Sequence, residues 1–193
     1  MSEELRLTDQ DKQLLLSLAR TAIENALSSR SRSLPPRSNA LNVKAGAFVT
    51  LRVPAEDGRL RLRGCIGHIV AADGLYETVR DAAVSSALSD PRFPPVDASE
   101  LASVAIEISV LSPFRVIFDV SEIEPGRHGL FIRRGHASGL LLPQVATEQG
   151  WDRETFVRHT CLKAGLPPGC EDQEGVELSV FTAEVFDESQ PDV

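Results

Sequence analysis

Residues 46–63 spell out a β-hairpin, and this limits the folds open to the chain more than any other stretch. Ala47, Val49, Leu51 and Val53 alternate with Phe48, Thr50 and Arg52. Such alternation marks a strand with one buried face. Pro54-Ala55-Glu56-Asp57-Gly58 then reverses the chain, and residues 60–63 return as the partner strand. Strands joined by so short a turn pair antiparallel, whereas a parallel pair needs a long crossover, so the fold does not begin as a βαβ unit.

The remaining elements follow from spacing and punctuation. Residues 8–29 read as a helix, with Thr8 as cap, Asp9 and Asp11 in the first turn, and Leu15, Leu18, Ala19, Ala22, Ile23 and Ala26 on one stripe. A Ser/Arg-rich stretch broken by Pro35-Pro36 predicts a mobile surface loop over residues 29–44. Residues 74–89 form a second helix, stopped before Pro91, whose inward residues Leu75, Val79, Ala82, Ala83 and Ser86 are mostly small. In the strand at 104–111, Val104, Ile106, Ile108 and Val110 share one face, and Glu107 lies opposite with Ala105 and Ser109. Further strands are expected at 114–118, 129–133 and 138–142, then a short helix from Pro143 to Gly150. Asp152 caps a helix that runs to about Ala164, ended by Gly165 and Pro167-Pro168. Residues 176–186 close the chain as one long strand. Strands outnumber helices, which gives an α+β fold with a largely antiparallel sheet and helices packed on it. A chain of 193 residues has room for one substantial core, and residues 1–193 are read as a single domain.

The net charge of −8 argues against general nucleic-acid binding. Arg59, Arg61 and Arg63 alternate along one strand and are read as a solvated face. The N-terminus is polar and the apolar runs are too short to cross a bilayer. The three cysteines, Cys65, Cys161 and Cys170, form no CxxC and no zinc-like spacing, so no metal site is expected. A reduced, cytoplasmic setting follows.

Candidate chemistry gathers around Leu-Arg-Gly-Cys-Ile-Gly-His at 62–68. Gly64 and Gly67 permit close approach of a ligand or a second segment. A cation such as Arg63 beside Cys65 lowers a thiol's pKa. The plainer reading of Cys65 is a small buried residue where two backbones meet. Cys161 lies on its helix's apolar face and reads as core packing. Glu107, charged within an apolar strand, must be solvated, paired or functional, and pairing with Arg63 or Arg92 is the structural expectation. Arg92 is held in the stiff Pro91-Arg92-Phe93-Pro94-Pro95 loop and suits an anion. His128, at a strand entry, is either a base or a residue fixing its turn, and Gln144 either meets a ligand or satisfies backbone beside Pro143. His68 is a weaker candidate, and His136 and His159 read as surface residues. Cys65, Arg63, Arg92, Glu107, His128 and Gln144 are expected to converge on one cleft. They suit an enzyme with Cys65 as nucleophile or thiol ligand, His128 as base and Arg63 or Arg92 holding an anionic group, Glu107 counting among the candidate catalytic residues, or a binding module that presents the same cleft to a small-molecule or peptide ligand or to a protein partner. No phosphate loop, dinucleotide fingerprint or triad motif is present, which points to a domain with a candidate site rather than a named enzyme and leaves any cofactor unassigned.

Leu-Arg-Gly-Cys-Ile-Gly at 62–67 resembles the signature of the AMMECR-type domain. The resemblance continues through Asp90-Pro91-Arg92-Phe93-Pro94-Pro95, Ile106-Glu107-Ile108-Ser109-Val110-Leu111-Ser112-Pro113, His128-Gly129-Leu130, Gly139-Leu140-Leu141-Leu142-Pro143-Gln144-Val145-Ala146 and Thr160-Cys161-Leu162-Lys163-Ala164-Gly165-Leu166. It covers about residues 14–188. It implies an α+β fold with helices around a curved, barrel-like sheet. It also implies bacterial or archaeal relatives often encoded near a Memo-like protein, akin to extradiol dioxygenases, and a radical SAM protein. It implies no particular reaction. Cys170 stands near where such relatives often carry tryptophan, which makes it peculiar to this chain.

Overall fold

The computed structural model describes residues 7–28 and 31–188. In chain order the elements are α1 (Asp9–Leu27), β1 (Ala47–Pro54), β2 (Leu60–His68), α2 (Leu75–Leu88), β3 (Ala105–Leu111), β4 (Arg115–Ile117), β5 (Gly129–Arg134), β6 (Ala137–Leu141), α3 (Pro143–Glu148), α4 (Arg153–Lys163), β7 (Glu177–Phe181) and β8 (Ala183–Asp187). The strands form two four-stranded sheets, in the orders β2-β1-β3-β8 and β4-β7-β5-β6. The α+β class and the antiparallel pairing stand as the sequence implies; the sheets do not close into a barrel. The contacts sort the chain into two compact units, one of Ser112–Ala183 and one of the chain before it joined by the segment from Glu184.

The N-terminal unit is built on the hairpin. β1 pairs antiparallel with β2 on one side and with β3 on the other, which places the hairpin and residues 105–111 in one sheet as expected. Ala47, Val49, Leu51, Val53, Ile106, Ile108 and Val110 face a core shared with Leu15, Leu18, Ala19 and Ile23 of α1 and Leu75, Val79, Ala82 and Ala83 of α2. Thr8 caps α1 in a reciprocal capping box with Asp11. Within the loop after α1, residues 29 and 30 lie outside the described residues. Beyond them the Arg32 amide donates to Asn25 Oδ1 at 2.6 Å and Tyr76 Oη donates to the Pro35 carbonyl at 2.7 Å.

Gly64 lets α2 sit directly on β2. A Cβ there would strike the main-chain carbonyl of Ser86. Ser86 Oγ in turn accepts the Ile66 amide at 2.8 Å and donates to the Val49 carbonyl at 2.7 Å, bridging the two strands from the helix. Gly64→Ala is therefore expected to destabilise the fold by about 2 kcal/mol through overpacking. Urea unfolding checks this, and an unchanged midpoint would refute the contact as a constraint.

The second unit carries the sheet β4-β7-β5-β6, with α3 and α4. Its core joins Ile123, Leu130, Ile132, Phe156, Val157, Leu178 and Val180. Asp152 caps α4, its side chain accepting the Thr155 amide at 2.8 Å. Two expectations need correction here. The long strand at 176–186 is two strands in different sheets: it breaks at Thr182, whose amide donates to Ser112 Oγ at 2.9 Å and whose carbonyl accepts the Ser112 amide at 2.9 Å. Cys161 and Cys170 are not separate thiols but a disulfide. Gly165 and Gly169, with φ of 74° and 78°, turn the chain after α4 and bring Cys170 back onto the helix.

Candidate functional site

The site is a row of polar side chains on the face of the first sheet turned away from α1 and α2. In an antiparallel pair, directly opposed residues project to the same side. Thr50 opposes Cys65 of β2 and also Glu107 of β3, so the three form one row across three strands. Thr50 Oγ1 lies 3.3 Å from Cys65 Sγ and donates to it. Glu107 holds Arg52, its neighbour two residues along β1, with Oε2 3.5 Å from Nε. The other carboxylate oxygen, Oε1, is buried and has no hydrogen-bond partner among the described residues. The expected pairing of Glu107 with Arg63 or Arg92 is thus not made; Arg52 takes that place. The reason is register: Arg52 shares its face.

Arg63 is turned elsewhere by a bulge. The register steps from Leu51 opposite Gly64 to Arg52 opposite Leu62, which leaves Arg63 without a partner on β1. Its buried guanidinium reaches Glu100 Oε1 at 2.6 Å and the carbonyls of Pro94 and Pro95 at 2.8 and 3.2 Å. This pairing lowers the Glu100 carboxyl below its usual range. Arg63 therefore anchors the proline loop, while Arg59 and Arg61 remain exposed. Gly67 is filled too, since a Cβ there would meet the Phe48 ring and the Ala47 carbonyl.

The edge of β2 is closed by Asp90 and Arg92. Asp90 Oδ2 accepts the Cys65 amide at 2.8 Å, and Arg92 Nη2 donates to the Cys65 carbonyl at 3.2 Å. The two side chains also grip each other, Nε to Oδ1 at 2.9 Å and Nη2 to Oδ2 at 2.7 Å. The Asp90 side chain is 2% exposed and that of Arg92 52%. The guanidinium holds the Asp90 carboxyl well below the usual carboxylate range, against the opposing effect of burial, and raises its own pKa in doing so. Burial pushes the Cys65 thiol up, outweighing the Thr50 hydrogen bond and the Arg92 charge, which favour the thiolate. Arg63, the cation beside it in sequence, is held by Glu100 instead.

His128 and Gln144 belong to the other unit. His128 Nδ1 accepts the Glu124 amide at 3.2 Å and the His128 amide donates to the Glu124 carbonyl at 2.8 Å, so the imidazole fixes its own turn. Gln144 occupies the first turn of α3, after Pro143. His68 is exposed, and His159 stacks on Trp151 with ring centroids 4.0 Å apart. The structure thus places Cys65 and Glu107 in one sheet, sets Arg92 from its loop at the β2 edge, and packs Arg63, Gly64 and Gly67 against other segments. Sequence reasoning passed over Thr50, Arg52 and Asp90. The Asp90-Pro91-Arg92 spacing, an acid and a base flanking a proline, was the one available signal for the last. No helix among the described residues is long and apolar enough to cross a membrane.

The AMMECR1 family model matches residues 16–186. The chain belongs to the AMMECR1 family. Relatives within it include a protein of Methanopyrus kandleri, 45% identical over 97% of this chain and 93% of its own length. A Thermococcus onnurineus protein is 44% identical, over 96% of this chain and 94% of its own length. The crystal structure of an uncharacterized Pyrococcus horikoshii protein superposes with a TM-score of 0.85 at 42% identity, covering 96% of this chain and 95% of that one. The AMMECR1 match spans the whole row of Thr50, Cys65 and Glu107 together with Asp90 and Arg92.

Proposed function

We propose that this chain is a ligand-binding member of the AMMECR1 family. It presents the row of Cys65, Thr50 and Glu107 to a small-molecule or peptide ligand, in the cytoplasm, alongside a Memo-like protein and a radical SAM protein. The observation that carries the reading is Glu107 Oε1, a buried carboxylate oxygen with no donor among the described residues. An unsatisfied buried acceptor is costly, and a ligand N–H or O–H at the row removes that cost. Burial pushes the Cys65 thiol up and so favours its neutral, hydrogen-bonding form, which supports binding over a cysteine-dependent transferase or hydrolase. The half-exposed Arg92 guanidinium at the end of the row suits an anionic group on the same ligand. The two partners rest on the family resemblance, and the acidic balance supports the absence of general nucleic-acid binding.

Two measurements test this reading. Amide NMR of the labelled protein, mixed with the small-molecule extract of its own cell, should shift Thr50, Cys65 and Glu107, and Glu107→Gln should abolish the shifts. A spectrum unmoved by the extract refutes the site. Alkylation of Cys65 should follow a midpoint above that of a free cysteine. Fast labelling below pH 7, slowed by Arg92→Ala, would instead establish the enzyme reading.

A further inference from the structure

We propose that Cys161, Cys170 and Glu171, once the disulfide is reduced, bind a thiophilic divalent cation of the zinc class. The two sulfurs and a Glu171 carboxylate oxygen lie within 4.8 Å of one another, and they form the one cluster of potential metal ligands among the described residues. Three short elements converge there: the last turns of α4 carry Cys161, the turn Cys170–Asp172 carries the other two, and left-handed Gly165 and Gly169 fold the chain between them.

The carboxylate points to the reduced state. Glu171 Oε2 sits 3.4 Å from Cys161 Sγ. A disulfide sulfur has no proton to donate, so this oxygen gains nothing from the oxidised pair. A thiol can donate to it, and a cation can take it as a third ligand. Both sulfurs are fully buried, in a cluster with Ile123, Phe156, Val157 and Leu178. Two thiolates and a carboxylate in such surroundings are tolerable only with a compensating positive charge. The alternatives are therefore two protons or one cation.

The chemistry balances as follows. A phosphine or dithiol reductant supplies two electrons, the S–S bond breaks, and two protons from water complete the thiols. The cation then displaces both protons, forming two metal–sulfur bonds and a metal–oxygen bond. Glu171 is only half-buried, so its side of the site opens to a water as fourth ligand. Thiolate donors select zinc-class ions over magnesium or calcium.

The test titrates Co2+, as a spectroscopic stand-in for zinc, into the full chain reduced anaerobically with a phosphine. The expected result is a saturable thiolate-to-cobalt charge-transfer band, accompanied by proton release and bleached by zinc. Cys65→Ser should leave the band intact and Cys170→Ser should abolish it. Glu171→Gln should weaken binding by roughly ten- to a hundredfold, the scale of loss seen even for supporting groups at metal sites. If the reduced protein, with all three cysteines titrating as thiols after denaturation, gives no band, the pair is a structural disulfide only and the proposal fails. A band of wild-type strength in Cys170→Ser also overturns it. Should Cys170→Ser fail to fold, Glu171→Gln at its half-exposed position decides: unchanged affinity overturns the site.

Discussion

Asp90→Ala should destabilise the protein by about 2–3 kcal/mol, the scale of losing hydrogen bonds to a charged group and leaving a backbone donor unsatisfied. The Asp90 side chain is almost wholly enclosed and accepts four hydrogen bonds: the amides of Cys65 and Arg92, and two from the Arg92 guanidinium. Alanine strips the Cys65 amide of its acceptor on the edge strand and frees a guanidinium that also held the Cys65 carbonyl. Because Arg92 is half exposed it rehydrates, so the loss falls mainly on the backbone of β2. Asp90→Asn keeps an acceptor for the amide but loses the charge, and should fall between the two. Urea denaturation at constant m-value reads both, and a loss under about 1 kcal/mol for the alanine variant refutes the clamp.

The same carboxylate predicts an acid limb to stability. Its folded pKa is depressed, while in the unfolded chain an aspartate titrates at about 4. The folded state therefore binds fewer protons, so the contribution of Asp90 is fully present above the unfolded pKa. It declines as pH falls through that value and toward the lower folded one. Asp90→Asn should flatten this limb between about pH 4 and pH 2, and an identical limb in the variant would place the titration elsewhere.

The hairpin was legible because alternation and a turn leave one register for its apolar face. The same alternation put Glu107 on the face away from the helices, where it lies. Which cation would meet it was not legible. That depended on Arg52 sharing the face of Thr50, and on a bulge that removes Arg63 from the row and buries it against Glu100. A bulge adds one residue to one strand and leaves no compositional trace. Gly64 and Gly67 were recognised as places of close approach, but their occupants, a helix carbonyl and a phenylalanine ring, come from segments remote in sequence or on the paired strand. Residues 176–186 read as a single strand since no glycine or proline interrupts them. Only the reciprocal pairing of Thr182 with Ser112, distant in sequence, divides them. Sequence alone leaves His128 open as base or turn residue, and its ring nitrogen accepts the Glu124 amide as a turn residue's would. The cysteine pair was hidden for a related reason: a helix position and a loop position meet only after two left-handed glycines have turned the chain.

Reduction in metal-free buffer should lower the stability of the second unit by about 3 kcal/mol. The bridge closes a loop with a sequence separation of 9. In the chain-entropy account, a cross-link over a loop of this size removes roughly 2.6 kcal/mol of unfolded-state entropy at 25 °C. Reduction also leaves two thiols in an apolar cluster, the one at Cys161 lying 3.4 Å from a Glu171 carboxylate oxygen. The only tryptophan, Trp151, lies in this unit and stacks on His159, so its fluorescence follows unfolding there. The fluorescence midpoint in urea should fall on reduction, while the double variant Cys161→Ser/Cys170→Ser should be low and insensitive to reductant. Cys65 alkylation, read on the first sheet, separates loss of the bridge from any effect at the site. A midpoint unmoved by reductant, with both thiols shown to be free, would mean that the bond adds nothing to what the core of Phe156, Val157 and Leu178 already supplies.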